Sequence, residues 1–257
     1  MNRVATSIHG SIEPAEKVTK SAFDYFTASN RNLGLLYFLV DTIATGDEML
    51  KLVRELLAGA DMNEEVTPTT DADRANGPRI RMLKKYTKEL IEAFYVRLVD
   101  NFEVYLSDIV REVLRKKPEI LRSRQQTVNM EYVLQFSSIE DLVQDIIEGK
   151  VNSLSYLGFA EIEKWYSEKG IPLAVSDEYR ARMVEIIATR NIVVHNRSRI
   201  DDRYLMAVTN STYRKGDMKK LDAGALLDAM DMLNAIVART DVEIAEKFGL
   251  AATPFRR

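Results

Sequence analysis

Cysteine is absent from the 257-residue chain, and histidine occurs only twice, as His9 and His195. Without cysteine there is no disulfide framework and no thiolate metal site, and nothing requires an oxidising compartment. Two distant histidines with no histidine–carboxylate cluster make an inadequate ligand set for a metal hydrolase, so neither a metal nor another cofactor is expected. Glycine and proline are sparse, at 11 and 6, and aromatic residues make up 8%. No segment alternates apolar and polar residues over strand-like lengths, and this balance favours helices. Long hydrophobic runs are missing too. The most apolar stretch, LGLLYFLV at 33–40, is far too short to span a bilayer, and MNRVATSIHGSIEPAEK lacks the apolar core of a signal peptide. The expectation is a cytoplasmic protein without membrane insertion. A formal net charge of −3 excludes binding to nucleic acid through a bulk positive field, so any polyanion site must be local. Internal repeats and low-complexity tracts are also absent.

What remains is 46% hydrophobic residues, enough for a substantial core, arranged at helical spacing. An apolar helix is predicted around 33–44 and a second after Thr45. Thr45 precedes Glu48 by three residues, the spacing of a capping box, and Leu50, Val53, Leu56 and Leu57 form one face closed by Gly59. The stretch ADMNEEVTPTTDADRANGP has the composition of a linker. These features divide the chain into a helical N-terminal extension at 1–60, a linker at 61–79 and a helical domain at 80–257.

Within that domain, Leu83, Tyr86, Leu90, Phe94, Leu98, Phe102, Leu106, Ile109 and Val113 recur at three- and four-residue steps. They predict one long helix from about Arg79 to Lys117, stopped by Pro118. A second helical region is predicted to start with Ser137 and Glu140 as a capping box. It breaks at Gly149, resumes through Phe159, Ile162 and Trp165, and ends at Gly170 and Pro172. Ser176 caps a third helix, with Tyr179, Met183, Ile186, Ile187 and Val194 beneath it. After an irregular segment, a fourth carries Leu226, Met230, Leu233, Val237, Thr240 and Ile244 and stops at Gly249. Four helices with connected apolar faces make an all-α bundle.

The third helix closes on EIIATRNIVVHNRSRIDDRYL, residues 185–205. Asn191 and His195 are four apart and share a helix face, and Arg190 sits one position round with a side chain long enough to reach over. The three can converge on one anion. Imidazole exchanges a proton near neutrality, guanidinium grips phosphate oxygens through paired donors, and Asn adds a neutral donor. The same residues also fit a purely structural reading: Arg190 in a surface ion pair, His195 favoured by the helix C-terminus, and Asn196 as a left-handed cap. Ile192, Val193 and Val194 fit the core better than a substrate pocket. Trp165 fits packing better than base stacking, and nothing assigns a role to His9.

RNIVVHN resembles the R-N-x-x-x-H motif of the HEPN superfamily, small helical bundles of which many are ribonucleases in toxin, phage-defence and RNA-processing systems. LVDNFEVYLSDIVREVLRKKPEIL resembles the long first helix of its defence-associated members, and FAEIEKWYSEKGIPL their second. IDDRYL and YRKGDMKKLD resemble the connection into the last helix. The likeness covers about residues 80–248 and leaves the first 79 outside. It implies a HEPN-like up-and-down helical bundle and a metal-independent endoribonuclease. The protein would act as a symmetric homodimer with two motifs facing across the interface, on RNA, with an antitoxin or defence partner possible. In that reading His195 transfers a proton, Arg190 stabilises charge on the phosphate, and Asn191 orients the phosphate or the histidine. Asn196, Arg197, Arg199 and Arg203 supply a local RNA-binding rim against Asp201 and Asp202. Some HEPN toxins are silenced by adenylylation of a tyrosine two residues after the histidine, where this chain has Arg197. The competing expectation is a catalytically inactive HEPN-like module for dimerisation or regulation.

Overall fold

The computed structural model describes residues 16–57, 77–122, 127–155 and 157–255. Its organising element is a 30-residue helix, α3 (Thr87–Lys116), preceded by α1 (Lys20–Leu57) and α2 (Pro78–Lys85). A 3-10 turn (Pro118–Leu121) and the single-turn α4 (Met130–Val133) lead to α5 (Ile139–Ser155) and α6 (Phe159–Glu168). α7 (Asp177–Asn196), α8 (Asp202–Ala207) and α9 (Ala223–Phe248) complete the helices. α3 buries Tyr95, Leu98, Phe102, Tyr105, Ile109, Val110, Val113 and Leu114 on one broad face and keeps polar residues such as Arg97 on the other, as an amphipathic helix does. α1, α5, α7 and α9 all pack on it. The protein is thus mostly helical, a bundle built round α3. Among the described residues the strands form one antiparallel pair, β1 (Lys17–Val18) with β2 (Thr253–Pro254).

The N-terminal region departs from the expected two helices. α1 runs unbroken through Thr45 and starts at Lys20, well before residue 33. Its first turns belong to the main core: Ala22, Tyr25 and Phe26, with Val18 of β1, are buried in the same cluster as Phe102 and Leu233. Thr19 caps the helix, its hydroxyl accepting from Ala22 N at 3.2 Å while donating to Asp241 of α9 at 2.5 Å. Asp241 also accepts from Thr19 N at 3.0 Å, and Glu112 of α3 accepts from Ser21 N at 2.8 Å. Burial pushes the Asp241 carboxyl above its ordinary range, and the Thr19 donors oppose that shift.

Asp47, inside the stretch expected to begin a helix, instead caps a different one. Its carboxylate accepts from Arg79 N at 2.9 Å and Ile80 N at 2.8 Å, fixing the start of α2 against α1. A side chain at Gly77 would stand 2.1 Å from Asp47 Oδ2, so only glycine permits this approach. The expected long helix is split into α2 and α3 at Tyr86, which leaves helical geometry at φ −105° and ψ 13°. Pro118 ends α3 as expected. Ser138, one residue beyond the expected Ser137, caps α5 by accepting from Asp141 N at 3.0 Å. α5 passes through Gly149 without a break. Ser176 and Gly249 serve as cap and stop as expected, Ser176 accepting from Tyr179 N at 3.3 Å and Gly249 adopting φ 61°. Gly59, His9 and all of the expected linker up to residue 76 lie outside the described residues.

One polar group in the core is left over. Tyr105 Oη is buried and has no hydrogen-bond partner among the described residues. Burial, with the neighbouring Asp241 charge second, pushes its phenol far up, so it stays neutral. An unpaired buried hydroxyl costs about 1–3 kcal/mol. Tyr105→Phe is therefore expected to leave the fold intact and raise stability by about 1 kcal/mol in urea denaturation; a loss of that size would reveal a bond to the hydroxyl.

Candidate functional site

α7 changes partners along its length. Met183 and Ile186 face the main core, whereas Ala188 and Ile192 join Ile200 and Tyr204 in a small second cluster beneath α8. This switch lays α8 beside the last two turns of α7, which stay tied to α3 through Arg190 and Asp100. The connection is tight: Arg197 and Ser198 both adopt left-handed geometry, φ 51° and 62°, and Ser198 N donates to Ile192 O at 3.0 Å. The left-handed position falls on Arg197, one residue after Asn196. Asn196 remains helical and donates from its side chain to Arg199 O at 2.7 Å.

α8 is fixed over this end by its polar contacts. Asp201 caps it by accepting from Tyr204 N at 2.8 Å, and Tyr204 Oη donates to Glu185 of α7 at 3.2 Å. Lys219 donates to the same carboxylate at 2.5 Å and lies over the rings of Tyr204 and Tyr213 at 5.7 and 4.8 Å. A backbone pairing of Ile200 N with Asp217 O, 2.9 Å, ties the connection to the loop before α9.

Asn191 and His195 are exposed on one face of α7, as their spacing predicts, and line one cavity of about 570 Å³. Its other walls are the start of α6, with Gly158, Phe159 and Glu161, and the first turn of α8, with Asp201, Arg203 and Tyr204. The size falls within the roughly 300–1,000 Å³ usual for ligand sites. Among the described residues neither His195 nor Arg203 makes a hydrogen bond or ion pair, so an imidazole and a guanidinium enter this cleft without internal partners.

Arg190 is placed differently. Its Nε and Nη2 donate to Asp100 Oδ1 of α3 at 2.8 and 2.6 Å, and Nη2 lies 3.4 Å from Glu103 Oε2. Its Nη1 donates to the Asn191 side chain at 3.0 Å, the one link between the two expected site residues. The side chain is 22% exposed and borders a second cavity, of about 380 Å³, with Asp100, Glu103, Arg111 and Tyr166. Burial pushes the Glu103 carboxyl up, Arg190 pulls it down, and Asp100 adds to the rise. Within one chain, then, Asn191 and His195 share a cleft while Arg190 is held beside it by two carboxylates.

Of the expected RNA-binding rim, Arg203 lines the cleft with His195. Arg197 and Arg199 are exposed on the connection, Arg199 donating to Gly216 O at 3.2 Å. Ile192 is buried as expected; Val194, expected in the core, is 48% exposed. Trp165 is buried against Tyr166, with Lys150 over its ring at 5.1 Å. Residues that sequence reasoning did not single out are Glu161 in the cleft and Asp100 and Glu103 on Arg190. Glu161 carries only the weak signal of an acidic residue in a first helical turn.

Among the described residues no group of three or more His, Cys, Asp or Glu is arranged to hold a metal, and no helix is long and apolar enough to cross a membrane. No protein-family model matches the chain, and no curated protein or solved structure matches it either.

Proposed function

We propose that the chain is a metal-independent endoribonuclease of the HEPN kind that cleaves RNA by attack of a ribose 2′-hydroxyl on the adjacent phosphate. The observation that carries this reading is the cleft shared by His195, Asn191 and Arg203. It offers a proton-transfer group, a neutral donor and a cation, with the imidazole and guanidinium free of internal partners among the described residues. The products are a 2′,3′-cyclic phosphate and a 5′-hydroxyl, and DNA, lacking the nucleophile, is left intact. A homodimer bringing two motifs together, a cytoplasmic location and a role as a toxin or phage-defence effector with a neutralising partner follow from the same resemblance.

A second reading, an inactive HEPN-like dimerisation or regulatory module, is favoured by two observations. The paired carboxylates on Arg190 suit a structural arginine, and α1 exposes Leu35, Tyr37, Phe38 and Met49. Incubating the protein with total RNA in EDTA separates the two. Discrete cleavage by the wild type, lost in His195→Ala with folding retained, is the expected result; RNA left whole by the wild type favours the module.

A further inference from the structure

The last two turns of α7 leave one face uncovered. At about 100° per residue, Arg190, Val194, Asn191 and His195 follow one another across roughly 140° of the helix surface. Arg190 marks the α3 edge of this face through its bonds to Asp100, and His195 marks the α8 edge through the cleft it lines. Val194, Asn191 and His195 are exposed, although Ile192 on the same turns is buried. Val104 and Leu157, along the cavity that Arg190 borders, are exposed as well. The charges on the two edges are opposite. On the α3 edge, two carboxylates, Asp100 and Glu103, outnumber the one arginine they hold. On the α8 edge, Arg197, Arg199 and Arg203 are exposed, and neither Arg197 nor Arg203 makes an ion pair among the described residues. The acids of that edge are occupied, Asp201 in capping α8 and Asp202 by Lys215. A surface with an apolar middle and edges of opposite sign can meet a copy of itself acid against base.

We propose that a second copy of the chain docks on this face, Val194 against its twin, with the Asp100–Glu103 edge of each copy against the Arg197–Arg203 edge of the other. Helix geometry fixes what such docking brings together. Arg190 and His195 stand at opposite corners of the patch, about 7.5 Å apart along the helix, and Val194 and Asn191 stand at the other two. A two-fold axis lying in the face along the Val194–Asn191 diagonal therefore sets Arg190 of each copy opposite the partner's His195. The arginines of the docked edge compete with Arg190 for Asp100 and Glu103, so the guanidinium is released toward the shared cleft in the dimer and held back in the single chain. This rests on the endoribonuclease reading for its chemistry and adds the surface that joins the two halves of the site.

The test pairs sedimentation of the full chain with cleavage of total RNA in EDTA. The wild type is expected to sediment as a dimer. Val194→Asp, which sets two carboxylates at the axis, is expected to raise the dimer Kd at least about 100-fold with helix content unchanged, and cleavage should fall with the dimer. Asp100→Asn combined with Glu103→Gln is expected to raise that Kd at least about tenfold and to flatten its salt dependence. Arg190→Ala and His195→Ala chains, each inactive alone, are expected on mixing to recover about a quarter of wild-type cleavage, because half the dimers are mixed and each of those keeps one of its two pairings. An undiminished dimer in Val194→Asp, a dimer broken instead by Phe38→Asp on the exposed face of α1, or a wild type that stays monomeric would overturn the docking surface. So would mixtures that stay inactive beside an active wild type, and each of these leaves the endoribonuclease reading in place if the wild type cuts RNA. A dimer that depends on Val194 and leaves RNA whole keeps the surface and removes the endoribonuclease.

Discussion

Replacing His195 with alanine is expected to lower RNA cleavage about 10³-fold, near the middle of the ~10²–10⁴ range for loss of a positioned acid–base group. The same substitution is expected to change stability by less than about 0.5 kcal/mol, because the side chain is exposed and makes no hydrogen bond or ion pair among the described residues. That combination separates chemistry from folding: single-turnover cleavage should collapse while the urea midpoint stays put. If cleavage persists at wild-type rate, proton transfer belongs to another group and the cleft is not the reaction centre. Arg190→Ala is a less clean probe. It leaves Asp100 and Glu103 facing each other on α3 without their shared cation, so lost activity can follow from a displaced α7 as readily as from a lost phosphate contact. For Arg190 to act on substrate, one or both carboxylates must release it.

Phe102→Ala is expected to cost about 3–5 kcal/mol, the usual loss for a buried phenylalanine cut to alanine. Phe102 has no exposed surface and lies midway along α3, the helix on which α1, α5, α7 and α9 pack. Phe102 lies fully buried in the main core cluster, where close packing limits how far neighbours can close the void, so the cavity penalty should be near its full value. Urea denaturation checks this, with Phe38→Ala as comparator. Phe38 is 64% exposed on α1 and its truncation should fall within about 0.5 kcal/mol of the wild type. Similar costs for the two would mean that α3 is not the centre of the core.

The core of the bundle was legible in the sequence because its signal is periodic. The apolar steps from Leu98 to Val113, the cap at Ser176 and the stops at Pro118 and Gly249 all depend on neighbours within one or two turns, and each serves as expected. What the sequence hid depends on distant partners. Asp47 looks like part of a local cap because Thr45 and Glu48 have the right spacing, yet its carboxylate serves Arg79 and Ile80, more than thirty residues away. The first turns of α1 look too polar for a core helix, with Ser21, Ser29 and Asn32 among the aromatics. The burial of Ser21 and Ser29 is tolerated because Glu112 of α3 accepts from Ser21 and Asn101 of α3 donates to Ser29, while the half-buried Asn32 accepts from Arg97. The candidate site was legible to the same degree. Asn191 and His195 share a face because four residues make about one helical turn. Which way Arg190 would turn depended on Asp100 and Glu103, ninety residues earlier, and the place of Glu161 depended on how α6 meets α7.

The central claim is tested most directly with a DNA oligonucleotide carrying one ribonucleotide, incubated with the full chain in EDTA and read by mass spectrometry of the fragments. The account predicts a single cut on the 3′ side of the ribonucleotide, leaving a 2′,3′-cyclic phosphate on one fragment and a 5′-hydroxyl on the other, and no cut in the all-DNA strand. Cuts elsewhere along the DNA, or a 5′-phosphate at the break, would contradict it.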